Sequence, residues 1–523
     1  MIREAIKNGD IAEAQQKIDE FFQFIDDARN ELYIQTGRTN RLTSQDLMGT
    51  ISPEEKDRAM NKITIATLYC CHAIEKKLID YFPSVNFKIS SESLTDQLMM
   101  KHMGRYEQIQ EKQKGGSAIF FRGKEVHTER KVMLRVLPDL NFGKEPQNTL
   151  IDERLQQVLK IKHRNIIKVL GADLSGFPYH LILEYIDGIS LDHLIGRVPF
   201  TLSRSLSIFR ELCEAVYHLH VNGIVHKKIK PDKVLIDNEL RPIISPFDIV
   251  SSSKRQLSDS ISSQNLMYEA PELLRGEAPG HDFQSDQFSL ALLAFELMSG
   301  YPLFCQKRHA AAEPNVFEVF EARRKFFEAE DPAYRKKIIK KAGIPEAVTD
   351  ILLKMLDRNP QQRYPSLLEA WEALEAIDIP QDPDVEKALA SYERCCVANP
   401  NFTQDFYQDH LFKKPAIRTI FEEREKARED REKTSQREKM LRIAIDTLIH
   451  HQTEPEKLRH ILHINAHSGI DLDLYGDFIE SIIKCIQEHD ALWKSYNRRG
   501  SKNPVKQAWE NIKVSAIKTI KEK

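Results

Sequence analysis

The apolar pattern of this chain changes character twice, and that succession limits its possible folds more than any other feature. Up to about residue 87, Ile2, Ile6, Ile11, Ala14, Ile18, Phe21, Phe22 and Ile25 recur at helical spacing. Ser52-Pro53-Glu54-Glu55 adds a capping-box start for a further amphipathic helix through Ile63, Leu68 and Ile74. From about 104 to 170 the runs become short, β-rich and bounded by glycine, as in Ala118–Phe121 and Val132–Leu137, with one helix near 149–161. Leu181–Leu183 follows, then a largely helical stretch to about 376. After the breaker-rich Ile379-Pro380-Gln381-Asp382-Pro383 the pattern is helical again to 523. A chain of 523 residues exceeds one core, since domains usually run about 100–200 residues. The expected organisation is a helical domain over 1–87, a polar linker over 88–103 containing Ser90-Ser91-Glu92-Ser93, an α+β domain over 104–376, and a helical domain over 384–523.

Composition narrows the partners. A net charge of −2 gives no global attraction to nucleic acid or to an anionic membrane, so neither is expected. No apolar run approaches the ~18 residues of a membrane span. The first ten residues, with early acids and no apolar core, do not read as a secretory leader. A cytoplasmic location is expected. The seven cysteines include the adjacent pairs Cys70-Cys71 and Cys395-Cys396 but no CxxC, which fits reduced core thiols and gives no metal site.

Within 104–376 a set of separate motifs occurs in a fixed order. Val225-His226 precedes Ala270-Pro271-Glu272, then Ser285-Asp286-Gln287-Phe288-Ser289, then Asp357-Arg358-Asn359-Pro360-Gln361-Gln362-Arg363. Together they resemble the eukaryotic-type protein kinase family, which implies a bilobal α+β fold. The resemblance implies that Asp286 anchors the backbone of the catalytic loop and that Glu272 and Arg363 form a buried ion pair.

The residues that carry the family's chemistry differ here. The loop reads His226-Lys227-Lys228-Ile229-Lys230-Pro231-Asp232-Lys233. By the resemblance, Lys228 stands where the family has its catalytic base and Lys233 where it has a metal-binding Asn. Pro246-Phe247-Asp248 replaces the family's Asp-Phe-Gly, so Pro246 stands at the magnesium-binding Asp. In Val132-Met133-Leu134-Arg135, Arg135 occupies the place of the strand lysine and keeps its charge with a bulkier planar fork. The helix acid that would pair with it falls at Arg154, with Glu153 one residue away. The glycine-rich loop, Gln113 to Phe120, resembles the family's with Gly115 as the one retained glycine. Glu184 and Ile186 lie in a segment that resembles the adenine-binding hinge. These substitutions predict a scaffold or switch with no phosphotransferase activity and no metal site. Two alternatives stand beside it. One is ATP bound without magnesium, its charge neutralised by Arg135, Lys228 and Lys233. The other is an atypical active Ser/Thr kinase that recruits Asp232 or Asp248. Ser251–Ser258 reads as a polar loop.

Residues 384–523 resemble bacterial single-domain globins, through Phe402–Tyr407, Leu411–Pro415, Ile420-Phe421, Gln436–Leu441 and His467–Tyr475. The resemblance implies that Tyr407 and Gln436 lie on the distal side of a haem, with Phe421 wedged against it. A haem iron needs an axial ligand. The apolar register of Leu458, Ile461 and Leu462 puts Asn465 at that place, with His463 and His467 two residues to either side. Haem and an empty helical module therefore both stay open, the haem reading making the protein a gas or redox sensor.

Residues 1–87 resemble the eleventh type of bacterial effector-associated domain, on Lys7–Asp10, Asn30–Tyr33, Asn40–Leu42, Gly49–Glu55 and Asn61–Ile63. This implies an adaptor that recruits an effector or adaptor protein. The whole reading is a signalling protein of a bacterial stress or conflict system, in which a globin-like sensor acts through the kinase-like domain on effector recruitment.

Overall fold

The computed structural model describes residues 106–115, 118–137, 155–173, 179–245, 263–274, 283–305, 316–329, 333–379, 381–415, 417–419, 430–451, 472–499 and 502–521. The expected adaptor (1–87) and linker (88–103) lie outside the described residues, as do Glu153, Arg154, Pro246, Asp248, Ser251–Ser258, Phe421, His463, Asn465 and His467.

Five strands form the first lobe: β1 (Tyr106–Gly115), β2 (Ala118–Glu125), β3 (Lys131–Val136), β4 (Val169–Asp173) and β5 (His180–Glu184). They pair antiparallel in the order β1-β2-β3-β5-β4. Side chains alternate across a strand, so β3 sends Val132, Leu134 and Val136 to one face, where they pack with Tyr106, Phe121 and Ile182. Arg135 therefore lies on the opposite face, opposite Phe120 on β2 and Leu181 on β5. Leu181 and Leu183 join the large core of the helical lobe, so that face of the sheet looks toward it.

A second sheet, β6 (Gly188–Ser190), β7 (Val234–Asp237) and β8 (Pro242–Ile244), lies beside the helices. α1 (Leu191–Ile195) leads to α2 (Leu202–Val221), whose N-cap Thr201 accepts the Arg204 amide. At the centre runs α3 (Phe283–Ser299). It is buried at every position from Ser285 to Leu297, as a helix surrounded by protein must be. α4 (Val316–Glu328), α5 (Ala333–Lys341), α6 (Glu346–Met355) and α7 (Leu367–Glu375) complete the lobe.

The breaker-rich stretch before residue 384 works as a helix start. Asp382 caps α8 (Pro383–Ala398), with Pro383 in the first turn where its missing N–H costs nothing. Short helical turns between Phe402 and Lys413 follow, then α9 (Asp430–Ile449), α10 (Leu472–His489), α11 (Ala491–Arg499) and α12 (Pro504–Lys521). The apolar residues of these helices belong to the same contiguous core as the helical lobe before them. Asp490, fully buried between α10 and α11, accepts from Ser391 at 2.7 Å and from Arg394 at 3.0 and 2.8 Å, and its Oδ1 caps α11 through the Leu492 amide. Among the described residues no helix is long and apolar enough to cross a membrane.

Candidate functional site

The segment 226–233 connects α2 to β7, and one carboxylate fixes its backbone. Asp286, in the first turn of α3, accepts the His226 amide at 2.8 Å, the Lys227 amide at 2.8 Å and the His220 imidazole at 2.9 Å. The two amides can converge because Lys227 turns into the left-handed region at φ 69°, which a non-glycine residue adopts only when its surroundings hold it. Burial raises the pKa of Asp286. The His220 hydrogen bond, the charges of His220 and His226 and the His226 amide outweigh it, so the group sits below its ordinary value. The anchoring role expected for Asp286 is met.

His226 is itself buried, and its Nε2 meets the Ser245 carbonyl at 2.7 Å. The Ser245 amide donates to the Lys233 carbonyl at 2.9 Å. The two ends of the β7–β8 hairpin thus frame the loop. Lys228 and Lys233 are half-buried on it, and Lys230 pairs with Asp232 at 3.1 Å. Asn165 ties this frame together. Its Nδ2 donates to Glu211 at 2.9 Å and to the Pro242 carbonyl at 2.8 Å, and its own carbonyl accepts the Ile244 amide at 2.7 Å.

The second support is the expected pair. Arg363 reaches both oxygens of Glu272, at 2.7 and 2.8 Å, with both side chains buried. Arg363 also donates to the carbonyls of Asp357 and Gln284 and lies over the Phe288 ring at 5.1 Å. Nearby, Arg323 donates to the carbonyls of Leu266 and Glu269, fixing the approach to Glu272, and burial pulls its guanidinium down to about 10.

The remaining expected site residues divide. Gly115 ends β1, paired with Ala118 at the start of β2, and Arg135 is buried in β3. Glu184 ends β5, where its carboxylate accepts the Lys168 amide at 2.6 Å, and Ile186 lies half-buried two residues on. Arg135 thus lies on the sheet face that Leu181 and Leu183 turn toward the helical lobe, and the loop lysines lie in that lobe between α2 and β7. Of the residues expected about a haem, Tyr407 is buried and stacked edge-on to Phe406, with Arg437 over its ring. Its hydroxyl donates to the Arg437 carbonyl at 3.4 Å, beside the half-buried Gln436. Tyr407 thus meets the turn of α9 that carries Gln436, with its hydroxyl directed at a main-chain carbonyl.

The protein kinase domain family matches residues 106–374 and Effector-associated domain 11 matches residues 1–81. The chain belongs to the protein kinase family. It is similar to the serine/threonine-protein kinase PknB of Mycobacterium leprae, 26% identical over 296 residues, covering 54% of this chain and 44% of that protein. It is also similar to the serine/threonine-protein kinase PrkC of Bacillus subtilis, 26% identical over 280 residues, covering 52% of this chain and 40% of that one. PknB of Mycobacterium tuberculosis is 25% identical over 294 residues, 54% of this chain and 44% of its own. The chain thus spans less than half the length of these relatives. They overturn one expectation. The substitutions at Lys228, Lys233 and Pro246 predicted a scaffold that is not an enzyme, whereas the proteins aligned with more than half of the chain are named serine/threonine kinases. Neither family match reaches residues 384–523.

Proposed function

We propose that the chain is an atypical serine/threonine protein kinase in which lysine and arginine side chains supply the positive charge that a divalent ion supplies elsewhere in the family. The observation that carries this reading is the loop at 226–233, held through its backbone by Asp286 and carrying Lys228 and Lys233. Phosphoryl transfer passes through a loose transition state, so the protein's work is mostly positioning and electrostatic stabilisation. The substrate hydroxyl oxygen bonds to the γ-phosphorus as the bond to the β–γ bridging oxygen breaks, and the electron pair leaves with ADP. Arg135 and the loop lysines stabilise the charge on the phosphate oxygens. The hydroxyl proton leaves late, to Asp232, the carboxylate of this loop.

Magnesium takes oxygen ligands, and Lys233 offers an ammonium at the position that resembles the family's metal ligand. By residue type, an ammonium at Lys233 and a proline at Pro246 supply no oxygen ligand to the ion. Without the usual base the rate should fall by about 10²–10⁴ relative to a typical member of the family. The test is transfer from radiolabelled ATP to a serine/threonine peptide mixture, with magnesium and with chelator. Slow labelling that survives chelation and is lost in Arg135→Ala and in Lys228→Ala/Lys233→Ala supports the reading. No incorporation above the blank under either condition overturns it. We further propose that residues 1–81 engage an effector or adaptor protein, on the strength of their family match. For residues 384–523 we propose a globin-like helical arrangement, supported by the meeting of Tyr407 with the turn of α9 that carries Gln436.

A further inference from the structure

The strongest unexplained cluster lies where α8, beyond the family match, meets the helical lobe. Arg204, in the first turn of α2, directs its guanidinium at three acceptors. Nε donates to Glu393 Oε2 at 3.0 Å, Nη2 to Glu393 Oε1 at 2.8 Å, and Nη2 also to the Leu240 carbonyl. The Glu393 side chain is 2% exposed, so this is a buried charge with one bidentate partner.

Leu240 is not an ordinary turn residue. It holds φ at 64°, in the left-handed region that a leucine enters only under constraint. Its amide donates to the Asp237 carbonyl at 2.9 Å, and Asp237 in turn accepts the amides of Glu239 and Arg241. This turn closes the β7–β8 hairpin. One strand begins directly after Lys233, and the other ends directly before Ser245, which receives His226. Arg204 therefore connects the frame of the catalytic segment to a carboxylate supplied by the C-terminal helices.

Further contacts hold α8 in place at this junction. Thr201, the N-cap of α2, donates to Glu386 at 3.0 Å. Arg197 pairs with Glu438 of α9 at 3.0 Å and donates to the Pro400 carbonyl at 2.8 Å, while its own carbonyl accepts Tyr392 Oη. Arg442 packs so closely against Gly300, at the end of α3, that a Cβ there would lie 2.5 Å from its guanidinium.

We infer that Glu393 is a positioning residue for the catalytic segment, acting through Arg204 and the Leu240 turn, and that the C-terminal helices are a built-in support of the phosphotransfer site. The catalytic part of this inference rests on the kinase reading above, and its structural part does not. The test uses the full chain with Glu393→Gln, which keeps the shape and removes the charge, and Arg204→Lys, which keeps the charge and loses the fork. Amide hydrogen exchange over residues 226–245 should quicken about ten-fold or more in either variant, while exchange in β2, β3 and β5 stays as in the parent. Phosphate transfer should show kcat lowered with KM for ATP unchanged, since Glu393 does not touch the nucleotide. Exchange over 226–245 equal to the parent's in both variants overturns the inference. Loss of protection everywhere in both variants also overturns it, since Glu393 would then hold the whole fold and not this segment. If the parent shows no transfer at all, the kinase reading fails while the exchange result still decides this one.

Discussion

Replacing Arg363 with alanine should come close to unfolding the kinase region, and the structure says why. The Glu272 carboxylate, 4% exposed, would remain buried with its bidentate partner gone, a loss of about 3–5 kcal/mol. The carbonyls of Asp357 and Gln284 would each lose a donor, at roughly 1 kcal/mol apiece. The total of about 5–7 kcal/mol compares with the ~5–15 kcal/mol that holds a typical domain together. For a region of this size the expected drop in melting temperature is about 10–25 °C. Scanning calorimetry of the full chain would measure it. Arg324→Ala serves as control, because its pairs with Glu321 and Glu328 lie at the surface and should contribute less than about 1 kcal/mol. The double variant Glu272→Leu/Arg363→Met removes both charges and should recover a large part of the loss. A single variant melting within 2 °C of the parent, or a double no better than the single, would refute the argument.

Three further outcomes are expected. Asp286 titrates below its ordinary value, so its stabilising contribution is present above about pH 3.9 and is lost as pH falls through the lower folded value; Asp286→Asn should cost stability at pH 7, by a margin in urea midpoint that narrows below that pH. Burial holds His451 below the ordinary histidine value, so the native state takes up its proton less readily than the unfolded chain. Stability should then be intact above about pH 6.5 and fall as pH drops through it, with His451→Gln making the urea midpoint less pH-dependent. Burial also raises the thiols of Cys213, Cys395, Cys485 and Cys396, the last to about 12. Peptide mapping after iodoacetamide at pH 8 should find these four unmodified in the native protein and labelled once it is denatured.

Much of the kinase region could be read from residue order alone, because its supports are short motifs whose partners recur at set places. Glu272, Asp286 and Arg363 fall into that group, and the structure brings each to its expected partner. β2, β3 and β5 were legible from apolar runs, although β2 continues past Phe121 to Glu125 and β3 begins at Lys131. β1 and β4 were not singled out, and the short sheet of β6, β7 and β8 lies in a stretch that read as largely helical. The activity of the chain was misread for a related reason. Residue identity at Lys228 and Lys233 shows which groups are present and does not by itself exclude an enzyme. The Arg204–Glu393 pair was out of reach because its members are 189 residues apart and belong to different apparent domains. The proline-rich joint before α8 read as a boundary, since breakers mark turns equally well whether the chain leaves a core or folds back onto it.

The unbroken apolar interior running from the helical lobe into α8 to α12 bears on how the protein can be handled. A gene fragment stopping near residue 376 would encode a lobe with one wall missing, because Leu389, Tyr392 and their neighbours would no longer shield it. Material of that kind tends to clump or to stay with chaperones. Inactivity measured on it would describe the cut and not the whole chain.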